Sequence, residues 1–246
     1  DPALLTGPIK KAMVSVSDDE SKMVLCGVHI ADYKIDAEDE QGKLEFAATN
    51  GHHLAVAVSE IDTPENWEPI TVPTNALRSL IKLTGKGEVT IAADRALIQI
   101  EGENFTLISR LLEGEYPRYR QLIPAQFSRT VSFDVSDLTK ALEYIKPYSN
   151  QVVDTIINVE NLDDQLHITT KGSENGNADV IFKDCEIEGE PLLWSCKHRY
   201  LSLGLSEFKG LVTLHQNSAT GPMVVKPQGD DLHTWLMMPV QVRDRG

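Results

Sequence analysis

The sequence predicts an α+β protein of two domains, and three observations carry the prediction. Apolar residues alternate over short runs such as Leu44 to Thr49 and Leu54 to Ile61, the period of strands with one buried face. Short amphipathic segments at helical spacing punctuate those runs, so that a unit of one strand, one helix and three strands returns about every 60 residues. A chain of 246 residues is long enough to bury two cores. Each helix can cover only one face of so short a sheet, so two copies must share a core, with helices on one side and a continuous antiparallel sheet on the other. Four copies then make two domains, expected at residues 1–124 and 125–246.

The elements follow in order. Leu5 to Met13 reads as a helix with Thr6 and Pro8 at its cap and first turn and Ile9, Ala12 and Met13 on one face. Leu25 to Ile35, Leu44 to Thr49 and Leu54 to Ile61 alternate as strands, the last two joined through Asn50-Gly51, a strong hairpin signal. Ile70-Thr71-Val72 leads into a second helix from Pro73 to Leu83, stopped near Gly85 and Gly87, and strands follow at Glu88 to Ala92, Ala96 to Glu101 and Phe105 to Leu111. The order then repeats: a strand at Thr130 to Phe133, a helix from Val135 to Ile145, and strands at Ile156 to Val159, Gln165 to Thr170 and Asp179 to Cys185. Leu192 to Ser195, a helix from Lys197 to Leu205, and strands at Leu211 to Leu214, Met223 to Lys226 and Thr234 to Met238 complete the fourth copy.

Composition narrows the function classes. Hydrophobic residues at 41% and charged residues at 24% describe a soluble globular protein, and no run approaches a membrane span. Cys26, Cys185 and Cys196 show no CxxC spacing, which fits reduced, buried cysteines in a cytoplasmic protein. The net charge of −14 argues against tight nucleic-acid binding by the chain as a whole. The charges are segregated, however: Thr74 to Gly87 holds Arg78, Lys82 and Lys86 with no acid, so one face can be positive on an acidic body. His52-His53 beside Asn50, and His198 near Cys196, are the nearest approach to a catalytic or metal cluster. Neighbours in a hairpin point to opposite faces and cannot share a metal. The sequence contains no Gly-rich phosphate loop, nucleophile elbow or HExxH motif, and it is expected to have no catalytic residues.

Three separated motifs remain. Ser109 to Pro124 reads SRLLEGEYPRYRQLIP, in which a strand ends, Glu113-Gly114-Glu115 turns, and Pro117 holds Tyr116 extended in an aromatic-basic segment expected to be exposed. Thr49 to Ala55 forms the hairpin, and Met238 to Val242 reads as a terminal strand. With these motifs in register, the chain resembles the bacterial DNA polymerase III beta subunit, the replicative sliding clamp. The likeness covers its second and third domains; the first of the family's three domains has no counterpart in the stretch.

The resemblance implies a DNA-clamp fold, with helices on a concave face and antiparallel sheet on a convex face. It implies a peptide-binding pocket at a domain junction, walled by Leu25, Thr49, Gly51, His52, His53, Leu54, Pro117, Gln121, Leu122, Ala219, Gly221, Leu236, Met238, Pro239, Val240 and Gln241. The residue types agree, since Leu, Pro and Met with a few polar groups make an adaptable groove for short motifs. The family often has Arg where this chain has His53 and Gln121, Asp where it has Asn50 and Arg118, and a basic residue in place of Gln241, so the rim is expected to be less cationic. Lys10, Lys11, Lys22, Arg78, Lys82, Lys86, Lys140, Lys197 and Arg199 are the expected DNA-facing set, contacting phosphates without reading sequence. Pro147 and Tyr148 are the expected ring interface of a head-to-tail homodimer, and this stretch alone is expected to be monomeric or weakly self-associated. Implied partners are double-stranded DNA, the replicative polymerase catalytic subunit, the clamp loader and repair polymerases, with no membrane, cofactor or metal. The alternative is a peptide-binding scaffold module that does not encircle DNA.

Overall fold

The computed structural model of the protein describes residues 1–34, 41–148, 156–162, 164–173 and 176–240. They fall into two compact units, Asp1–Arg118 and Tyr119–Gly246, where the sequence reading divides the chain after residue 124.

Unit 1 opens with α1 (Pro2–Met13), a start earlier than expected. The Asp1 carboxylate accepts from the Ala3 amide at 2.8 Å and Pro2 takes the first helical position, where its missing N–H costs nothing. Pro8 therefore lies inside the helix, and the bond it cannot make is offset by the burial of Leu5, Ile9 and Ala12, each at most 1% exposed. A 3-10 turn at Glu20–Leu25 replaces the expected start of the next strand. β1 (Gly27–Tyr33) begins only at Gly27, where a Cβ would stand 2.4 Å from the Val72 carbonyl oxygen. β2 (Lys43–Thr49) and β3 (His53–Asp62) form the hairpin, and β4 (Ile70–Pro73) pairs with β1. The order β3-β2-β1-β4 is antiparallel throughout. After α2 (Thr74–Leu83), the strands β5 (Val89–Ala93), β6 (Leu97–Gly102) and β7 (Phe105–Arg110) make a separate three-stranded sheet. Both helices bury one stripe against a core that includes Phe46, Val28, Ile98 and Ile100.

Unit 2 repeats the plan with β8 (Arg129–Asp134), α3 (Val135–Ile145), β9 (Ile156–Leu162), β10 (Gln165–Ser173) and β11 (Gly176–Phe182). The Asp134 carboxylate caps α3 through the Ser136 amide at 2.8 Å, and Leu138, Ala141, Leu142 and Ile145 form its buried stripe, as their spacing predicts. The run expected as one strand from Asp179 to Cys185 is divided: β11 ends at Phe182 and β12 (Cys185–Glu188) pairs with β8 in another sheet. β13 (Leu193–Lys197), α4 (His198–Leu205), β14 (Leu211–Gln216), β15 (Met223–Pro227) and β16 (His233–Met237) follow. The sheets are β12-β8-β14-β15-β16 and β11-β10-β9-β13, so each unit has two antiparallel sheets in place of the expected continuous one. Gly204 of α4 lies so close to Trp235 of β16 that a Cβ would meet the indole at 2.3 Å. Among the described residues, no helix is long and apolar enough to cross a membrane.

Candidate functional site

In unit 1 the candidate residues gather at the β2–β3 hairpin and the loop after β7. Asn50 and His53 close the turn, with the Asn50 amide donating to the His53 carbonyl at 3.3 Å, so its central pair is Gly51-His52. Gly51 has φ 89°, the requirement of the first central position in a type II′ turn. Asn50 contributes through its side chain instead. Its Oδ1 accepts from the His52 and His53 amides at 2.9 and 3.1 Å, which presents Nδ2 to His53 Nε2 at 2.9 Å. Nε2 must then accept, so the proton sits on Nδ1 and is donated to Ser15 Oγ at 2.8 Å. His53 is only 3% exposed, and its ring is committed to the interior of the unit; of the turn, Gly51 and His52 face solvent.

Tyr116 fastens the loop after β7. Its hydroxyl accepts from the Thr49 amide at 3.1 Å, and its ring stacks on His29 of β1 with centroids 4.4 Å apart and planes 9° from parallel. Nδ1 of His29 is 3.1 Å from Thr71 Oγ1, and burial draws the imidazole down to about 4. The rings of the aromatic segment are thus not exposed as expected: Tyr116 and Tyr119 are both buried, while Pro117, Arg118 and Arg120 stand outside. Thr49, Leu54 and Leu25 are buried too.

In unit 2 the arrangement is reversed. Gln121 and Leu122 lie in a 3-10 turn (Tyr119–Leu122) and are exposed, Leu122 by 51%. Asn217 ties the following segment down, its Oδ1 accepting from the Ser128 amide at 2.7 Å and its Nδ2 donating to the Gln126 carbonyl at 2.9 Å. Ala219 and Gly221 are half-buried in the loop that Asn217 opens. β16 ends at Met237 with Leu236 buried, so Met238 lies beyond the strand and is 41% exposed, a correction to the expected terminal strand. Pro239 and Val240 are half-buried, and the Val240 amide donates to the Ser195 carbonyl of β13 at 2.8 Å. Gln241 lies outside the described residues.

The basic residues sit on or beside the helices. Lys10, Lys22, Arg78, Lys82, Lys86, Lys140 and Arg199 are exposed, and Lys11 and Lys197 are half-buried. Lys10 and Lys86 line one cleft of about 620 Å³ with Thr6, Thr84 and Glu88. Lys140 is held by Asp137 at 2.8 Å, an exposed pair one helical turn long. Lys197 Nζ and Arg199 Cζ lie 4.8 and 5.1 Å from the centroid of Tyr200, distances of cation–π contact. Pro147 and Tyr148 stand exposed in the turn after α3, one turn beyond Tyr144, which is 72% exposed; Ser149 and Asn150 of that segment lie outside the described residues. His198 is a core histidine, its Nε2 donating to the Leu142 carbonyl at 3.0 Å. Among the described residues no group of His, Cys, Asp and Glu could hold a metal.

Sequence reasoning missed Tyr116 as a buried anchor and Asn217 as a brace. Each acts on a segment distant in the chain, and only the Pro after Tyr116 signals that its ring has a fixed direction.

The repeated strand-helix-strand units define an α+β DNA-clamp fold, and solved clamps match it closely. The structure of the Bacillus subtilis DNA polymerase sliding clamp superposes with a TM-score of 0.88 at 23% identity, covering 98% of this chain and 63% of that one. A Bartonella birtlesii sliding clamp, solved bound to griselimycin, superposes with a TM-score of 0.90 at 21% identity, covering 98% and 64%. In sequence, the beta sliding clamp of Synechococcus elongatus is 34% identical over 249 residues, 98% of this chain and 64% of that protein. The Staphylococcus aureus beta sliding clamp is 26% identical over 243 residues, 97% and 62%. Family models for the DNA polymerase III beta subunit match residues 1–118 as the central domain and 120–241 as the C-terminal domain. The chain therefore belongs to the DNA polymerase III beta-subunit family, and it spans slightly less than two thirds of the length of these relatives.

Proposed function

We propose that the chain is the central and C-terminal part of a sliding clamp, the processivity factor of a replicative polymerase. The two consecutive family matches, over 1–118 and 120–241, carry this reading. In it the protein does no chemistry of its own: it works in the cytoplasm, encircles duplex DNA as a closed homodimer when full length, and tethers partners by short tails. Exposed lysines and arginines on the helices meet phosphate, while Gly51, His52, Pro117, Gln121, Leu122 and Met238 meet the tails of the polymerase catalytic subunit, the clamp loader and repair polymerases. Pro147 and Tyr148, with Tyr144 beside them, supply an apolar surface for the ring contact.

A ring holds DNA by topology, so direct affinity needs only screened, sequence-independent phosphate contacts. Fluorescence anisotropy of labelled duplexes over a salt series should show weak binding that falls steeply with salt and is the same for unrelated sequences. Tight or base-specific binding at physiological salt would overturn the clamp reading in favour of a regulator.

A further inference from the structure

At the start of β8, Arg129 stands directly opposite Gln216, the last residue of β14. Both side chains are on the core-facing side, 5% and 0% exposed. Among the described residues, Nε and Nη2 of Arg129 have no hydrogen-bond partner, and neither does Oε1 of Gln216. The amide is not free to turn, because Gln216 Nε2 donates to the Ser218 carbonyl at 3.2 Å. Two donors and one acceptor, on cross-strand neighbours, are thus left with their hydrogen-bonding capacity unused. Buried polar groups in folded proteins are nearly always bonded, and a buried guanidinium edge left without a hydrogen bond is among the costliest exceptions.

The orphaned nitrogens form one edge of the guanidinium, the fork that takes both oxygens of a carboxylate. The same edge is used in that way elsewhere in this molecule: Arg95 Nε and Nη2 each donate to a Glu68 carboxylate oxygen at 3.1 Å. Burial draws the Arg129 pKa down and the nearby Glu190 opposes the shift, yet Glu190 bonds neither nitrogen. The turn after β12 lies against this place. Gly189 has φ 92°, and a Cβ on it would stand 2.5 Å from the Ser128 carbonyl oxygen and 3.1 Å from Arg129 Cα. β12 is the outermost strand of its sheet and pairs with β8, so the turn that follows it lies at the edge of the sheet.

We propose that Arg129 and Gln216 form a binding site for an acylamino carboxylate, the group at the C-terminus of a peptide or in a free N-acyl amino acid. The carboxylate takes the Arg129 fork, and the N–H beside it donates to Gln216 Oε1. Phosphate fits less well, since the flat fork selects the planar pair of oxygens of a carboxylate over a tetrahedral group.

The test follows the Arg129 Nε–Hε signal by NMR in the ¹⁵N-labelled chain, assigned by its loss in Arg129→Lys. N-acetylglycine should shift the signal saturably and bind about ten-fold tighter than acetate, which lacks the N–H, and tighter than phosphate. N-acetylglycinamide, without the carboxylate, should leave the signal in place. In Gln216→Leu, N-acetylglycine should fall to the level of acetate; if that variant fails to fold, the ligand series on the native chain decides alone. Binding of N-acetyl-triglycine as tight as that of N-acetylglycine identifies a peptide end as the source, and binding of the small acid alone identifies a free acyl amino acid. A signal indifferent to every ligand, phosphate equal to or tighter than N-acetylglycine, or a preference that survives in Gln216→Leu would each overturn the proposal.

Discussion

The two units hold their candidate site residues in opposite ways. In unit 1 the side chains point inward: His53 is spent on Ser15 and Asn50, the Thr49 hydroxyl on the His53 carbonyl, and Leu54 on the core, so that mainly Gly51, His52 and Pro117 remain outside. In unit 2 the backbone is braced by Asn217 and by the Val240–Ser195 bond, and apolar side chains such as Leu122 and Met238 are left in solvent. The candidate residues of unit 1 are therefore part of a scaffold whose shape is fixed by buried polar bonds, and those of unit 2 include exposed apolar area. Burying a Leu or Met side chain contributes roughly 1.5–3 kcal/mol, so affinity should reside mostly in unit 2 and stability in unit 1.

Substitutions can separate the two roles. His53→Ala should have the largest effect, because it removes a buried ring and strands its partners; a loss of about 3 kcal/mol in urea unfolding is expected. A loss near zero would show that the hairpin does not depend on its histidine. Acid should act on the same unit through His29. Its folded pKa of about 4 lies below the ordinary 6.5, so the unfolded chain binds the proton first. Stability from this group is complete above pH 6.5, declines as pH falls toward 4, and is level below that, a total of roughly 3 kcal/mol. His29→Phe keeps the stack on Tyr116 and should flatten this part of the stability profile; an unchanged profile would assign it to other groups. Tyr116→Phe should cost less, about 1–2 kcal/mol, since it keeps the buried ring and removes the bond from the Thr49 amide. If it weakened peptide binding more than folding, the anchor would belong to recognition and the contrast between the units would blur.

Much of the fold was legible in the sequence because strand alternation and helix periodicity are local. The helix at Val135–Ile145 and the Asn50-Gly51 hairpin follow from residues close in the chain. What escaped was set by distant partners or by competition between signals. The start of α1 is decided by Asp1-Pro2 although Pro8 offers a similar signal later, and the switch of sheets between Phe182 and Cys185 interrupts an unbroken alternating run. The site motifs were visible as strings, but the inward commitment of His53 needed Ser15, and the burial of Tyr116 needed Thr49 and His29, residues no spacing rule connects.

The central claim, that recognition rests on exposed apolar residues of unit 2 and not on the buried network of unit 1, is tested most directly by Met238→Asp and Leu122→Asp. Each should weaken binding of a labelled Gln- and Leu-bearing tail peptide by at least about ten-fold while leaving the melting midpoint unchanged, because a half-exposed side chain contributes little to folding. An unchanged dissociation constant, or a loss of affinity matched by an equal loss of stability, would contradict it.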